Sequence, residues 1–460
     1  MRKYASRNIR KYWLWIVVTL LILSILVGGG LFILTRAPGV ASNAPGGIPA
    51  NITGLHVVGN SIENSSGQTI QLRGVDRESP EYACTQGWGF GHGPFDAANV
   101  RAIKAWGVDV VRVPLNEDCW LNINRPVDSQ YNKYSSYFGV AYHHFIEDYV
   151  SLLNKSGIIA ILDLHFAGPG TQLANYQIPM ADRDHAPAFW QSVASTFKDN
   201  SSVIFDLFNE PYPDNNQNTT AAWTCWRDGG TCSGVHYQAA GMQELVNTIR
   251  TTGASNIILL GGVAYAGELS QWLQFEPNDP LHELAASWHS YNYSQCSSSS
   301  CWNTDIAPVA AKVPVIAGEI GENDCADGYV DEVMHWLDTH NGSYLAWAWI
   351  TQTDCKSGPS LLGQNLSDYN GTPSTYGQGI KSYFLAKART SLASPGAISL
   401  PQPIALISVS DCILPDRTAR FSLWLRNSIR LSHSYPGSAP PPLEMNFLLP
   451  LPLKFINSTP

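Results

Sequence analysis

Phe205-Asp206-Leu207-Phe208-Asn209-Glu210-Pro211 is the stretch that decides how this chain is read. From Val203 to Leu207 every residue but Asp206 is apolar and suited to a strand, and Pro211 ends the run because proline has no N–H to give to a ladder. Asn209 and Glu210 are therefore displayed past the C-terminal end of a buried strand. In a parallel barrel, that rim carries the active site. The same short apolar runs recur on both sides of this one. Residues 73–75, 108–113, 157–164, 203–208, 257–260, 285–288, 313–317 and 344–349 read as eight core strands. Residues 97–106, 142–154, 188–197, 237–252, 306–311, 330–337 and 376–388 read as the helices between and after them. Apolar strands alternating with helices argue for a parallel sheet covered on both faces. Eight such units predict a (β/α)8 TIM barrel. A doubly wound sheet is the alternative, but no glycine-rich fingerprint follows the first strand. Ahead of the barrel, residues 56–60 and 69–72 flank an Asn/Ser/Gly turn and read as a short β-hairpin.

The 460 residues carry 44% hydrophobic side chains and 15 Trp, enough for one large core with aromatics to spare. A net charge of -9 with no basic stripe argues against a nucleic-acid partner. Nine cysteines show no C-x-x-C spacing, so a metal site is not indicated. Cys225 with Cys232 and Cys296 with Cys301 are near neighbours, and Cys84 with Cys119 and Cys325 with Cys355 would complete four bridges. Eight cysteines allow 105 pairings, so connectivity stays open at this stage. Cys412 is left over, and an oxidising, extracellular compartment is expected.

Arg2, Lys3, Arg7, Arg10 and Lys11 precede an apolar run over residues 13–34, long enough to span a bilayer as one transmembrane helix. The basic flank places the rest of the chain outside. A long signal peptide cut near Ala41 or Ala44 is the alternative. The expected organisation is an anchor or uncleaved signal over 1–36, a linker over 37–53, a catalytic domain over 54–390 and a tail over 391–460. That tail holds 11 of the 29 prolines and reads as lacking fixed structure.

The second carboxylate comes in Val315-Ile316-Ala317-Gly318-Glu319, another apolar strand with a glutamate at its end. Glu210 and Glu319 close the fourth and seventh strands, so both point to one rim. Two glutamates facing each other there suit cleavage of a glycosidic bond: one protonates the leaving oxygen, the other attacks.

With these motifs in strand order, the chain resembles glycoside hydrolase family 5, the cellulase family of retaining (β/α)8 glycosidases, over roughly residues 54–388. Val111-Arg112-Val113-Pro114, Leu162-Asp163-Leu164-His165, Asn209-Glu210-Pro211, Trp288-His289-Ser290-Tyr291, Gly318-Glu319 and Ala346-Trp347 carry the resemblance. It implies Glu319 as nucleophile, held by Arg112 and Tyr291, and Glu210 as acid/base with its pKa raised by the charge of Glu319. It further implies Asn209 on the sugar 2-hydroxyl, His165 and His289 against substrate or carboxylates, and Trp347 as a sugar platform. The expected activity is endo-acting β-1,4-glucan hydrolysis with no metal or organic cofactor. Mannan, xyloglucan or β-1,3-glucan are alternative substrates, because specificity lives in loops. A non-catalytic carbohydrate-binding protein on the same barrel is the reading from another class. The expected partners are a β-glucan or related plant cell-wall polysaccharide and, through the N-terminal helix, a membrane. Tyr82, Trp88, Trp120, Trp223, Trp226 and Trp302 are loop aromatics of which some should line sugar subsites. The glycine-rich loop 87–93 is expected to face substrate, Glu322 to be a solvated rim charge, and His143-His144 a surface pair.

Overall fold

The computed structural model describes residues 47–126, 133–353 and 358–393. Thirteen strands occur in it. Three form a small antiparallel sheet: β1 (His56–Val58), β2 (Ser61–Glu63) and β3 (Thr69–Ile70). Then come β4 (Arg73–Asp76), β5 (Val110–Asn116), β6 (Ile159–Phe166) and β7 (Val203–Asp206). A two-stranded excursion follows, β8 (Gly229–Thr231) with β9 (Gln238–Ala240). The last four are β10 (Ile258–Gly261), β11 (Leu284–Tyr291), β12 (Val315–Gly321) and β13 (Ser343–Ala346). Strands β4, β5, β6, β7, β10, β11, β12 and β13 pair in parallel, and β13 closes back on β4. This is the eight-stranded closed barrel expected from the alternation, with a helix or helical turns after each strand.

The two-residue period of a strand sorts the core. Ile159, Ile161, Ile204, Leu259 and Ile316 face into the barrel, where Ile52, Leu55 and Ile62 of the N-terminal segment plug the lower end. Ala160, Leu162, Val203 and Phe205 face outward against the helices. Helix Ala186–Phe197 shows why such a segment coils. Pro187 pre-sets its first turn, and Phe189, Trp190, Val193, Ala194 and Phe197 recur at helical spacing and are all buried. Full burial of one such side chain is worth roughly 1.5–3 kcal/mol. Trp190 also donates its indole N–H to the Leu207 carbonyl at 2.9 Å, which braces the strand end that precedes Asn209.

Several local readings are corrected. The N-terminal hairpin is tighter than expected: β1 turns into β2 through Gly59 and Asn60, with Gly59 at φ 61, and β2 then pairs with β3. The turn taken as one long loop thus contains a strand, whose Ile62 supplies the apolar plug. Residues 237–241 are not helical. Residues 238–240 form β9, and the helix begins at Met242, because Gly241 lies so close to the Arg227 carbonyl that a Cβ there would stand 2.4 Å away. The last barrel strand stops at Ala346, and the Trp347–Ala348 peptide is cis. Disulfides join Cys84–Cys119, Cys225–Cys232 and Cys296–Cys301. Cys355 and Cys412 lie outside the described residues, as does the apolar run 13–34. Among the described residues, no helix is long and apolar enough to cross a membrane.

Candidate active site

The C-terminal ends of the barrel strands open onto a cleft of about 720 Å³. Glu210 and Glu319 both line it, with His165, Asn209, Tyr291 and Trp347. Glu319 leaves β12 directly after Gly318. A side chain at Gly318 would collide with Ser287 Oγ at 2.7 Å and His289 Nε2 at 2.9 Å, so the close packing of β11 on β12 excludes anything larger there. Glu319 is almost wholly buried. Its Oε1 accepts from Arg112 Nη1 at 2.9 Å and its Oε2 from the Tyr291 hydroxyl at 2.6 Å.

Glu210 follows β7. Its Oε1 lies 3.0 Å from His289 Nδ1, and its Oε2 accepts from Gln177 Nε2 at 2.8 Å. Burial pulls the His289 imidazole down to about 3, so the ring is neutral. The same Nδ1 is 3.6 Å from Glu319 Oε2. One nitrogen thus spans the pair, and the nearest oxygens of Glu210 and Glu319 are within 4.8 Å of each other. Burial raises the Glu210 carboxyl above its usual value, opposed by His165, Gln177 and Arg112. The expected cause was the charge of Glu319; the raise comes instead from removal from water.

Asn209 is locked on both sides of its amide: Oδ1 accepts from Arg112 Nη2 at 2.8 Å, and Nδ2 donates to Gln177 Oε1 at 3.2 Å. His165 Nδ1 lies 2.6 Å from Asp163 Oδ2, and its ring stacks on Trp347 with centroids 5.6 Å apart. Burial pulls His165 down to about 4, so it too is neutral. All eight residues singled out in the sequence therefore gather at one rim.

Others there were not singled out. Gln177, in the loop after β6, touches both Asn209 and Glu210 and has no motif to announce it. Tyr265 and Tyr293 line the cleft exposed, stacked on Tyr212 and Tyr291 respectively. Glu78 and Glu81 also line it. Of the six loop aromatics, Tyr82 lines the cleft, while Trp120, Trp223, Trp226 and Trp302 are buried, each with its indole N–H bonded to a protein oxygen. The loop 87–93 packs down rather than facing the cleft. Phe90 stacks on Phe145, Arg77 holds the His92 carbonyl, and Trp88 stands exposed, edge-on to Tyr82. His143 is likewise no free surface residue, since it stacks on Trp120 at 4.0 Å.

Glu322 is a further correction. It is buried, and its Oε2 accepts the backbone N–H of Tyr329 at 2.8 Å, in the first turn of helix Gly328–Thr339. A carboxylate at that end satisfies an orphan donor and meets the positive end of the helix dipole. Replacing Glu322 by Ala is expected to cost about 1 kcal/mol in urea unfolding and leave turnover within twofold. A tenfold loss of turnover in the folded variant would place Glu322 in the site instead.

A model of the cellulase family, glycosyl hydrolase family 5, matches residues 64–353. An endoglucanase of Paenibacillus polymyxa is 23% identical over 328 residues, covering 64% of this chain and 79% of that protein. A mannan endo-1,4-beta-mannosidase of Salipaludibacillus agaradhaerens is 20% identical over 329 residues, covering 69% of this chain and 89% of that one. A β-glucanase of Saccharophagus degradans, solved in complex with cellotetraose, shares the fold at a TM-score of 0.52 and 19% identity, over 75% of this chain and 97% of its own. With the barrel, the facing glutamates and a family match over most of the described residues, the chain is a cellulase-like glycoside hydrolase and belongs to the cellulase family, glycosyl hydrolase family 5.

Proposed function

We propose that this enzyme hydrolyses β-1,4-glucan from within the chain, with retention of the anomeric configuration. The observation that supports retention is the approach of the two carboxylates, whose nearest oxygens lie within 4.8 Å. Retaining pairs stand about 5–5.5 Å apart, whereas inverting pairs need roughly 6.5–9.5 Å to admit a water between them. Glu319, ionised and held by Arg112 and Tyr291, attacks the anomeric carbon. The bond to the leaving oxygen breaks as Glu210 gives that oxygen its proton. Burial keeps Glu210 protonated long enough for this, and the Gln177 amide fixes the carboxyl's orientation. Glu210, now ionised, takes a proton from water. The hydroxide equivalent attacks the same carbon, and the ester to Glu319 breaks. Asn209 has one amide N–H engaged by Gln177, which leaves the second for the sugar 2-hydroxyl. His165 and Trp347, stacked on each other, offer a hydroxyl partner and a flat apolar face.

An open cleft lined by Tyr82, Tyr265, Tyr293 and Trp347 as well as both glutamates suits a polymer running through rather than a chain end. The endoglucanase relative favours glucan. The mannosidase relative, matched over most of its length, makes mannan the second reading. We assign the catalytic domain to residues 54–390, and the oxidised cysteine pairs support an extracellular setting for it. The N-terminal segment as anchor or signal stands as part of the same proposal. The test is hydrolysis of soluble β-1,4-glucan, mannan, xyloglucan and β-1,3-glucan, with the first product's anomer followed by proton NMR. Glucan is expected as the preferred substrate and the β-anomer as the first product. An α-anomer would overturn retention, and faster cleavage of mannan would overturn the substrate.

A further inference from the structure

Beneath Glu319 lies a layer of which the reaction above uses only Arg112. Asp76, Arg112, Asp163 and Asp206 occupy the inner faces of four consecutive barrel strands, with Asp76 opposite Arg112 and Asp163 opposite Asp206 in the ladders. All four are fully buried. Arg112 reaches Asp206 through Nε at 2.9 Å, Asp76 through Nη1 at 3.2 Å and Asp163 through Nη2 at 3.1 Å, besides its bond to Glu319. One guanidinium thus faces four carboxyl groups. Four ionised carboxylates against one cation leave a net charge of −3, shut away from water.

Among the described residues, no second lysine or arginine pairs with these carboxyls. Among the described residues, the groups turned toward this layer are His165 from β6, His289 and Tyr291 from β11, Glu210 and Asn209 after β7, Glu78 and Glu81 after β4, and the neutral phenol of Tyr376 in the last helix. Both imidazoles are neutral, and the glutamates only add negative charge. The second observation is that Asp76 Oδ2, Asp163 Oδ1 and Asp206 Oδ1 are buried with no hydrogen-bond donor. An ionised oxygen left bare in this way is costly, and a neutral carboxyl removes most of the cost.

We propose that Asp76, Asp163 and Asp206 are carried as neutral acids below neutral pH and act as positioning residues, keeping the charge of Arg112 for Glu319. Asp163 is the principal proton holder, because its Oδ2 lies 2.6 Å from His165 Nδ1, where an O–H can be donated to a neutral ring. The direction of titration agrees. Burial pushes Asp163 up to about 7 against the pull of Arg112, and burial likewise raises Asp76 and Asp206. The functional part of the proposal rests on Glu319 being the nucleophile.

The linkage has a definite sign. A carboxyl whose folded pKa lies above its unfolded value binds protons better when folded. Its contribution is fully present below the unfolded value and is lost as pH rises toward about 7. Asp163→Asn cannot lose a proton, so its stability is expected to gain on that of the wild type between pH 4 and 8, read as the difference in thermal midpoint. The second reading is the acid limb of the pH profile of kcat/KM. It is expected to stay within about 0.2 pH unit, because an amide replaces an already neutral acid. An acid limb moved down by a unit or more, or a stability difference constant from pH 4 to 8, would show an ionised aspartate and overturn the proposal. Asp206→Asn and Asp76→Asn carry the same two measurements if Asp163→Asn does not fold. The stability readings do not depend on the role of Glu319, so a wrong nucleophile and a wrong charge state give separable results.

Discussion

Glu319→Gln is expected to lose turnover of soluble β-1,4-glucan by on the order of 10^4-fold or more, with KM changed by less than threefold. The amide is nearly the same shape, so the cleft and its sugar contacts persist. What goes is the electron pair that attacks the anomeric carbon. The amide also cannot satisfy both of its neighbours. Oε1 and Oε2 of Glu319 each accept a hydrogen bond, from Arg112 and from Tyr291. A glutamine offers one oxygen, and its NH2 then faces a donor. The fold should survive this, because the near-isosteric amide keeps the packing and Arg112 keeps its three aspartate neighbours. Steady-state assays with the variant's thermal midpoint measured beside them separate the two effects. A glutamine variant within tenfold of the wild type would remove Glu319 as nucleophile. Glu319→Ala extends the test: azide added in the space left should restore turnover with an activated aryl glycoside and give a glycosyl azide of the opposite anomer.

The alternation of apolar strands with helices was enough to predict the closed barrel, because a parallel sheet buried on both faces leaves a continuous apolar signature in each strand. Rim position was legible for the same reason: a strand that ends in Asn209-Glu210-Pro211 or in Gly318-Glu319 has only one end at which to display them. What escaped were features that depend on contacts between strands distant in the chain. Asp206 stood out at once as the single polar residue of an apolar run, and Asp163 sits inside a quoted motif. Their shared attachment to Arg112 follows only from barrel closure. Gln177 belongs to a loop without period, and it meets Glu210 because β6 and β7 are neighbours.

The errors have physical causes of the same kind. Glu322 reads as a solvated rim charge until the helix after it is placed, whereupon its carboxylate is seen to hold the Tyr329 N–H. Four loop tryptophans read as candidate sugar platforms, and their burial shows that the long loops need a core of their own. In Glu210 the direction of the pKa shift was foreseeable from its neighbour. The cause, loss of water, is a property of the packed cleft and not of the Glu319 pair that suggested it.

Arg112→Met should be the most damaging single change to the fold. Methionine matches much of the length of the arginine stem but leaves Glu319, Asp76, Asp163 and Asp206 without their common cation. Breaking a buried pair in this way typically costs about 3–5 kcal/mol, most of it the penalty of the stranded charges. The penalty depends on pH with a sign the layer dictates. At pH 5 the stranded carboxyls can take up protons and sit neutral, so the loss should fall near the lower end of that range. At pH 8 the unfolded chain holds those groups ionised at no cost, and the folded variant must either strand the charges or bind protons against a low proton concentration. The urea midpoint of the variant should therefore fall further below that of the wild type at pH 8 than at pH 5. Arg112→Lys separates charge from geometry. One ammonium cannot reach four carboxyls and the Asn209 amide through five fixed donors, so it should restore part of the stability and little of the turnover. Equal urea midpoints for Arg112→Met and wild type at pH 8 would mean that the four carboxyls never relied on the guanidinium, and the account of how Glu319 is held would fall with it.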